Sequence, residues 1–230
     1  IDQPSRSRDH TELMLSSQGI NINTSGNTIK LDGGQDPIAV DVAIPGDISS
    51  AAFWMILAAI HPDADLSVKN VGSNPTRAGV IMILERMGAQ ISRDNLQSGS
   101  EPAADFSIKS SFLNGTTISG EEIPLLIDEL PAIAVAATQA EGTTIIRDAN
   151  ELRVKESDRI STMYQGLQKM GAAVEELEDG LIVHGPSILR GAKVQCHGDH
   201  RVAMALAIAA SLADGETELW GASAASISYP

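Results

Sequence analysis

The stretch Asn150–Ile160, "NELRVKESDRI", gathers Arg153, Lys155, Glu156, Asp158 and Arg159 within seven positions, between two apolar-rich segments. Such a density of acids and bases has two readings. Glu151 and Lys155 are four apart, as are Lys155 and Arg159; pairs of this kind on an exposed helix face stabilise it by about 0.2–0.5 kcal/mol each. The other reading is a site that grips a doubly charged small molecule. The run follows the β-branched stretch "TTIIRDA" and opens the helical stretch "ISTMYQGLQKM", and strand-to-helix loops commonly carry ligand groups. Ser157 or Asp158 can cap that helix, whose free N–H groups favour an anion.

A second group lies in "HGDHRVAMA", where Arg201 opens an apolar helix beside His197, Asp199 and His200. Asp199 reads as a helix cap, and Arg201 either as its salt-bridge partner or as a group for an anion. His197 and His200 bracket an Asp, but no third ligand follows at a metal-site spacing, so no metal is expected. Cys196 reads as a small buried residue. The third group is Asp128–Glu129, at the mouth of another apolar helix. One carboxylate suffices for a cap. A second, partly desolvated, can accept a hydroxyl proton as a general base. Neither phosphate-binding glycine motif (G-x-x-x-x-G-K-[ST] or G-x-G-x-x-G) occurs, nor a G-x-S-x-G elbow.

The elements that must position these residues repeat. "HTELMLSSQGINI", "GVIMILERMGAQI" and "STMYQGLQKMGAAV" each give an amphipathic helix, a glycine (Gly19, Gly88, Gly171) and a short strand. Glycine there suits the left-handed conformation that ends a helix. "PGDISSAAFWMILAAI", "IDELPAIAVAATQAEG" and "GDHRVAMALAIAA" each place an Asp (Asp47, Asp128, Asp199) before an Ala-rich helix, as an N-cap. These helices are apolar nearly all round, which predicts burial; the others carry a polar face and belong outside. Strands are expected at "TIKL", "LSVKNV", "TTIIRDA", "LIVHG" and "TELWGA". The unit is strand–helix–strand–helix–strand at a period of roughly 70 to 80 residues. Turns or hairpins are expected at Gly33–Gly34 and in "QSGSEP" (97–102), and a connector at 36–47.

With 230 residues, 43% hydrophobic and only 3% aromatic, the chain can bury a core made of Ala, Ile, Leu, Val and Met. A net charge of −14 argues against a nucleic-acid partner, which needs a broad basic face. It leaves room for a small anion held by a few converging cations. One cysteine permits no intrachain disulfide and suggests a reducing compartment, the cytoplasm. No signal peptide and no apolar run of about 20 residues is seen, so no membrane partner is expected. The opening Ile1 and the abrupt "ISYP" end suggest a processed product or a fragment.

"SRDHTELML", "PGDISSAAF", "DELPAIAVAATQAEGTT", "ELRVKESDRI" and "GDHRVAMALAIAA", in this order, resemble the EPSP synthase (3-phosphoshikimate 1-carboxyvinyltransferase) family over nearly the whole chain. The resemblance implies an α/β fold: an inside-out α/β barrel lobe of the enolpyruvyl transferase kind, built from βαβαββ units. Residues 1–43 would be the tail of a first lobe and 44–230 most of a second. It implies transfer of the enolpyruvyl group of phosphoenolpyruvate to the 5-hydroxyl of shikimate 3-phosphate in a cleft between two lobes. The reaction belongs to aromatic amino-acid biosynthesis and needs no metal or organic cofactor. The full-length form would be a monomer.

By the same resemblance Asp128 binds the shikimate ring hydroxyls and is the base. Glu156 moves a proton at the methylene, and Lys155 contacts both substrates. Arg159 and Arg201 grip phosphoenolpyruvate, and Arg8 contacts the phosphate of shikimate 3-phosphate. The sequence departs from the family where Ile227 and Ser228 replace a lysine that some members carry, and where the first lobe is missing. Without that lobe the isolated chain is expected to be inactive. Two other readings stay open: a non-catalytic binding or scaffold module, and a transferase with another acceptor such as UDP-N-acetylglucosamine.

Overall fold

The computed structural model describes residues 1–97 and 101–230. Three elements come first: α1 (His10–Ser17), β1 (Ile22–Ser25) and β2 (Thr28–Leu31). Then follow α2 (Ile48–Ile60), β3 (Asp65–Gly72), α3 (Gly79–Met87), β4 (Gln90–Gln97) and β5 (Ala103–Lys109). Next come β6 (Thr117–Ile118), α4 (Ile123–Leu126), α5 (Leu130–Thr138), β7 (Gly142–Ile146), α6 (Arg159–Lys169), β8 (Ala173–Glu176) and β9 (Leu181–Gly185). The last are β10 (Lys193–Gln195), α7 (His200–Leu212) and β11 (Glu218–Trp220).

The repeat is clearest in the middle of the chain. β6, α5, β7, α6, β8 and β9 make a βαβαββ unit whose sheet runs β6-β7-β9-β8, with β6 parallel to β7 and the other pairs antiparallel. In the preceding unit the first strand is reduced to Gly46, which bridges Val71 in parallel ahead of the antiparallel sheet β3-β5-β4. The last unit supplies β10, α7 and β11, with the two strands parallel.

The Ala-rich helices lie at the centre, as their composition demands. α5 packs against both α2 and α7, and every residue from Leu130 to Thr138 is buried. Small side chains let the helix axes approach, and the scarcity of aromatics is met by Ile, Leu and Met filling the layers between helix and sheet. α3 and α6 are two-faced: Val80, Ile83, Leu84 and Met87 of α3 face the core while Glu85 and Arg86 face solvent. α6 approaches α7 so closely that a Cβ on Gly166 would lie 2.8 Å from Leu206. Gly19, Gly88 and Gly171 all have positive φ just past their helices, as expected.

Residues 1–43 contribute little to this core; only Ile20 and Ile29 are buried. Their hairpin turns at Gly26–Asn27, not at Gly33–Gly34, which form a bend after β2. The two-residue link lets Ser25 and Thr28 pair directly, the tightest connection a hairpin permits. The connector expected at 36–47 has no helix or strand apart from the Gly46 bridge. Of the turn expected at 97–102, residues 98–100 lie outside the described residues. Among the described residues no helix is long and apolar enough to cross a membrane.

Candidate active site

Two of the three predicted caps form. Asp47 accepts from the backbone N–H of Ser49 (3.1 Å) and Ser50 (3.0 Å), and Asp199 from those of Arg201 (2.9 Å) and Val202 (3.3 Å). Asp128 is not a cap, contrary to the sequence expectation. α5 starts at Leu130 with Glu129 at its N-cap position, and Pro131 in the first turn offers no N–H for a cap to accept. The Asp128 carboxylate is therefore left for side chains. Arg8 donates to its Oδ2 (2.8 Å), Arg77 to Oδ2 (3.4 Å) and Arg159 to Oδ1 (3.4 Å).

Each of three arginines ties together two central helices at their N-terminal ends. Arg77 reaches Ser49 Oγ on α2 and makes a two-armed pair with Glu129 at the head of α5, at 2.9 and 3.2 Å. Arg159 joins Asp128, at the head of α5, to Asp199, the cap of α7 (Nε to Oδ2, 2.8 Å); its Nη2 donates to Glu156 at 2.5 Å. Arg201, on α7, lies over the ring of Phe53 on α2, 5.9 Å from its centroid, within cation–π range. These contacts bring the heads of all three inner helices to one place.

The structure unites Asp128, Glu156, Arg159 and Arg8 in one hydrogen-bonded network. Lys155 adjoins it in the chain but pairs with Glu151. Arg201 makes no ion pair among the described residues. Its predicted salt bridge with Asp199 is replaced by Arg159, because Asp199 Oδ1 is taken by the α7 backbone and Oδ2 by Arg159 and Ser157. Of the two candidate caps for α6, Asp158 serves, accepting from Ser161 N–H at 3.0 Å. Arg153 fastens the loop to Asp158, Glu176 and the carbonyls of Leu177 and Glu178.

Exposure sorts the acids by what they can do. Glu129 is fully buried and doubly bonded to Arg77, so it is held as a counter-ion. The Asp128 side chain keeps 18% exposure and that of Glu156 48%, so an incoming molecule can reach both. Burial pushes the Asp128 pKa up, but the Arg8 hydrogen bond and the charges of Arg77 and Arg201 outweigh it, and the carboxyl stays below its usual range. Asp199 is likewise pushed up by burial and brought below its usual range by Arg159. Beside Arg77 and Asp47 opens a cavity of about 280 Å³, with His10 and Glu101 also on its lining.

Sequence reasoning missed Arg77, Ser49, and the Asn74 and Thr76 side chains that both hold Asp9 (2.8 and 3.0 Å). One signal was available. Arg77 stands 11 residues before Gly88, and Arg159 stands 12 before Gly171, so both stand where a strand leads into the outer helix of successive units, Arg77 in the loop and Arg159 as the first residue of α6.

The model of a family described as EPSP synthase (3-phosphoshikimate 1-carboxyvinyltransferase) matches residues 2–230. A 3-phosphoshikimate 1-carboxyvinyltransferase of Bacillus cereus is 51% identical over 231 residues, covering 100% of this chain and 54% of that protein. The solved EPSP synthase of Acinetobacter baumannii superposes with a TM-score of 0.93 at 43% identity, over 100% of this chain and 54% of its own. The enolpyruvyl transferase NikO of Streptomyces tendae, at 21% identity and a TM-score of 0.73 over 99% of this chain and 52% of its own, shares the fold. The chain spans about half the length of the curated relatives it matches.

Proposed function

This chain belongs to the EPSP synthase family, and from that premise we propose that the full-length protein transfers the enolpyruvyl group of phosphoenolpyruvate to the 5-hydroxyl of shikimate 3-phosphate, releasing phosphate. Residues 44–230 are then most of the second of two lobes and residues 1–43 the tail of the first. The enzyme works in the cytoplasm as a monomer. The observation that carries this reading is the Asp128 carboxylate, reached by solvent, shared by Arg8, Arg77 and Arg159, and one guanidinium away from Glu156.

The residues fit the steps. Glu156 delivers a proton to the methylene carbon, which makes C2 electrophilic. The hydroxyl oxygen bonds to C2 while Asp128 takes its proton. The tetrahedral intermediate then loses phosphate, which carries off the proton that Asp128 took, as the new methyl group returns a proton to Glu156. Arg201 pairs with no carboxylate among the described residues and can meet the phosphate or carboxylate of phosphoenolpyruvate with two parallel hydrogen bonds. Arg159, expected to grip phosphoenolpyruvate with Arg201, is 1% exposed and bonded to Asp199, Asp128 and Glu156, so its part in this reading is its field and its orientation of Glu156 and Asp128. Arg8, 45% exposed, can leave Asp128 for the phosphate of shikimate 3-phosphate, which opens one carboxylate oxygen to the ring hydroxyls. Lys155 can do the same by leaving the exposed Glu151.

Phosphate release is the test. The full-length protein should release phosphate only with both substrates present, and this chain alone should not turn over because it carries half the cleft. Absence of release by the full-length protein, or release without shikimate 3-phosphate, overturns the proposal.

A further inference from the structure

Three features of the Arg77 site are unlike those of a surface ion pair. The Arg77 side chain is 10% exposed and its partner Glu129 is fully buried. The guanidinium is fixed from two directions, by both oxygens of Glu129 and by Ser49 on another helix. Its Nη2 also reaches Asp128 Oδ2, the oxygen that the exposed Arg8 contacts. A buried, two-armed arginine is costly to desolvate and is a rigid fork once placed. Of the two cations on that oxygen, Arg8 is exchangeable and Arg77 is not.

Given the reaction proposed above, we propose that Arg77 is a positioning residue for the proton acceptor: clamped by Glu129 and Ser49, it holds Oδ2 of Asp128 so that the carboxylate keeps its orientation and its charge after Arg8 departs. The other groups around Asp128 leave this part to Arg77. Arg77 and Arg159 both approach Asp128 at 3.4 Å, but Arg159 meets the opposite oxygen and shares its guanidinium with Glu156, which is half exposed, whereas the acid that clamps Arg77 is fully buried. Arg201 acts on Asp128 and Asp47 through its charge, and Asp47 in turn acts on Arg77. Glu129 neutralises Arg77 without touching solvent, so the clamp does not depend on which ligand fills the cleft.

The test uses the full-length protein with two variants. Arg77→Lys keeps the charge but not the fork. The double variant Arg77→Met/Glu129→Met removes both partners, so that no lone charge stays buried. The expected result is a kcat about 100-fold lower in the double variant, the scale of a misplaced reacting group. Arg77→Lys should show a smaller loss of about 10-fold in the same sense. In both, KM for phosphoenolpyruvate changes little and the acid limb of kcat moves to higher pH. A merely structural arginine would lower thermal stability and leave the acid limb of the folded fraction in place. If Arg77→Lys matches the parent in kcat and in acid limb, the inference is overturned, whether or not the double variant folds. A second readout is independent of turnover: the carboxyl carbon NMR resonance of Asp128, assigned by its loss in Asp128→Asn, should titrate at higher pH in Arg77→Lys. A parent protein that releases no phosphate would sink the proposed reaction while leaving that titration to decide on Arg77.

Discussion

Residues 73–78 and 150–159 occupy the same place in two successive units, leading from a strand into an outer helix, and each sends an arginine to Asp128. Around Arg77 the surroundings are closed in: its partners Glu129 and Ser49 are fully buried, and its loop neighbours Asn74 and Thr76 nearly so. Around Arg159 the core end is closed, with Asp199 fully buried, but the outer end opens onto Glu156, and Lys155 and Glu151 lie beside it at the surface. One copy of the loop has become a fixed brace. The other keeps an acid and an amine that can change partners. A repeated fold thus delivers the same side chain twice, and only the Arg159 copy keeps accessible neighbours for the proposed chemistry.

The contrast predicts a ranking of effects. Arg159→Met leaves the fully buried Asp199 without its cation and should cost about 3–5 kcal/mol in urea unfolding. A loss below about 1 kcal/mol would mean that the network does not hold the helix heads together. Arg201→Ala, which breaks no ion pair among the described residues, should leave unfolding within about 1 kcal/mol of the parent. In the full-length protein it should weaken phosphoenolpyruvate binding at least about 10-fold, the value of one charged hydrogen bond. Equal losses of folding and binding would make Arg201 structural.

Acid should act on both loops through the aspartates they share. Asp128 and Asp199 lie below the usual 3.8, so the folded state holds their charge more firmly than the unfolded chain does. Their stabilisation is complete above the unfolded value and is lost as pH falls through the lower folded values. The urea midpoint should therefore hold down to about pH 5 and drop below about pH 4. Asp199→Asn, less stable at neutral pH, should show a shallower drop, and an unchanged slope would assign the acid sensitivity to other carboxylates. The smallest effect belongs to Glu151→Gln. Removing an exposed partner of Lys155 should change stability by no more than about 0.5 kcal/mol, and a larger loss would show that the accessible edge of this loop is also a brace.

Elements governed by neighbouring residues were readable in the chain. The helix-ending glycines Gly19, Gly88 and Gly171, the caps Asp47 and Asp199, a cap for α6 at Ser157 or Asp158, and the burial of the Ala-rich helices follow from local donors, φ preferences and periodicity. The strand–helix–strand–helix–strand order was readable too, from the alternation of β-branched runs with helical patterns, whereas the second closing strand of the βαβαββ unit was implied only by the family resemblance. The hairpin turn at Gly26–Asn27 was also local in cause but was not among the expected turns, while Gly33–Gly34, expected as a turn or hairpin, forms a bend.

Pairing between elements was not readable. Asp128 had the sequence of a cap, and Pro131 hinted otherwise, but which cations would reach it depended on residues 120, 51 and 31 positions away. The same holds for Asp199, whose partner is Arg159 and not the adjacent Arg201. The sequence by itself determined the helices, their ends and the kinds of charge placed at their mouths, because those depend on contacts within a few residues. Only the tertiary structure decided which charge meets which and which stays accessible. A Coulomb pair between groups far apart in the chain exists only once packing has brought their helix heads together.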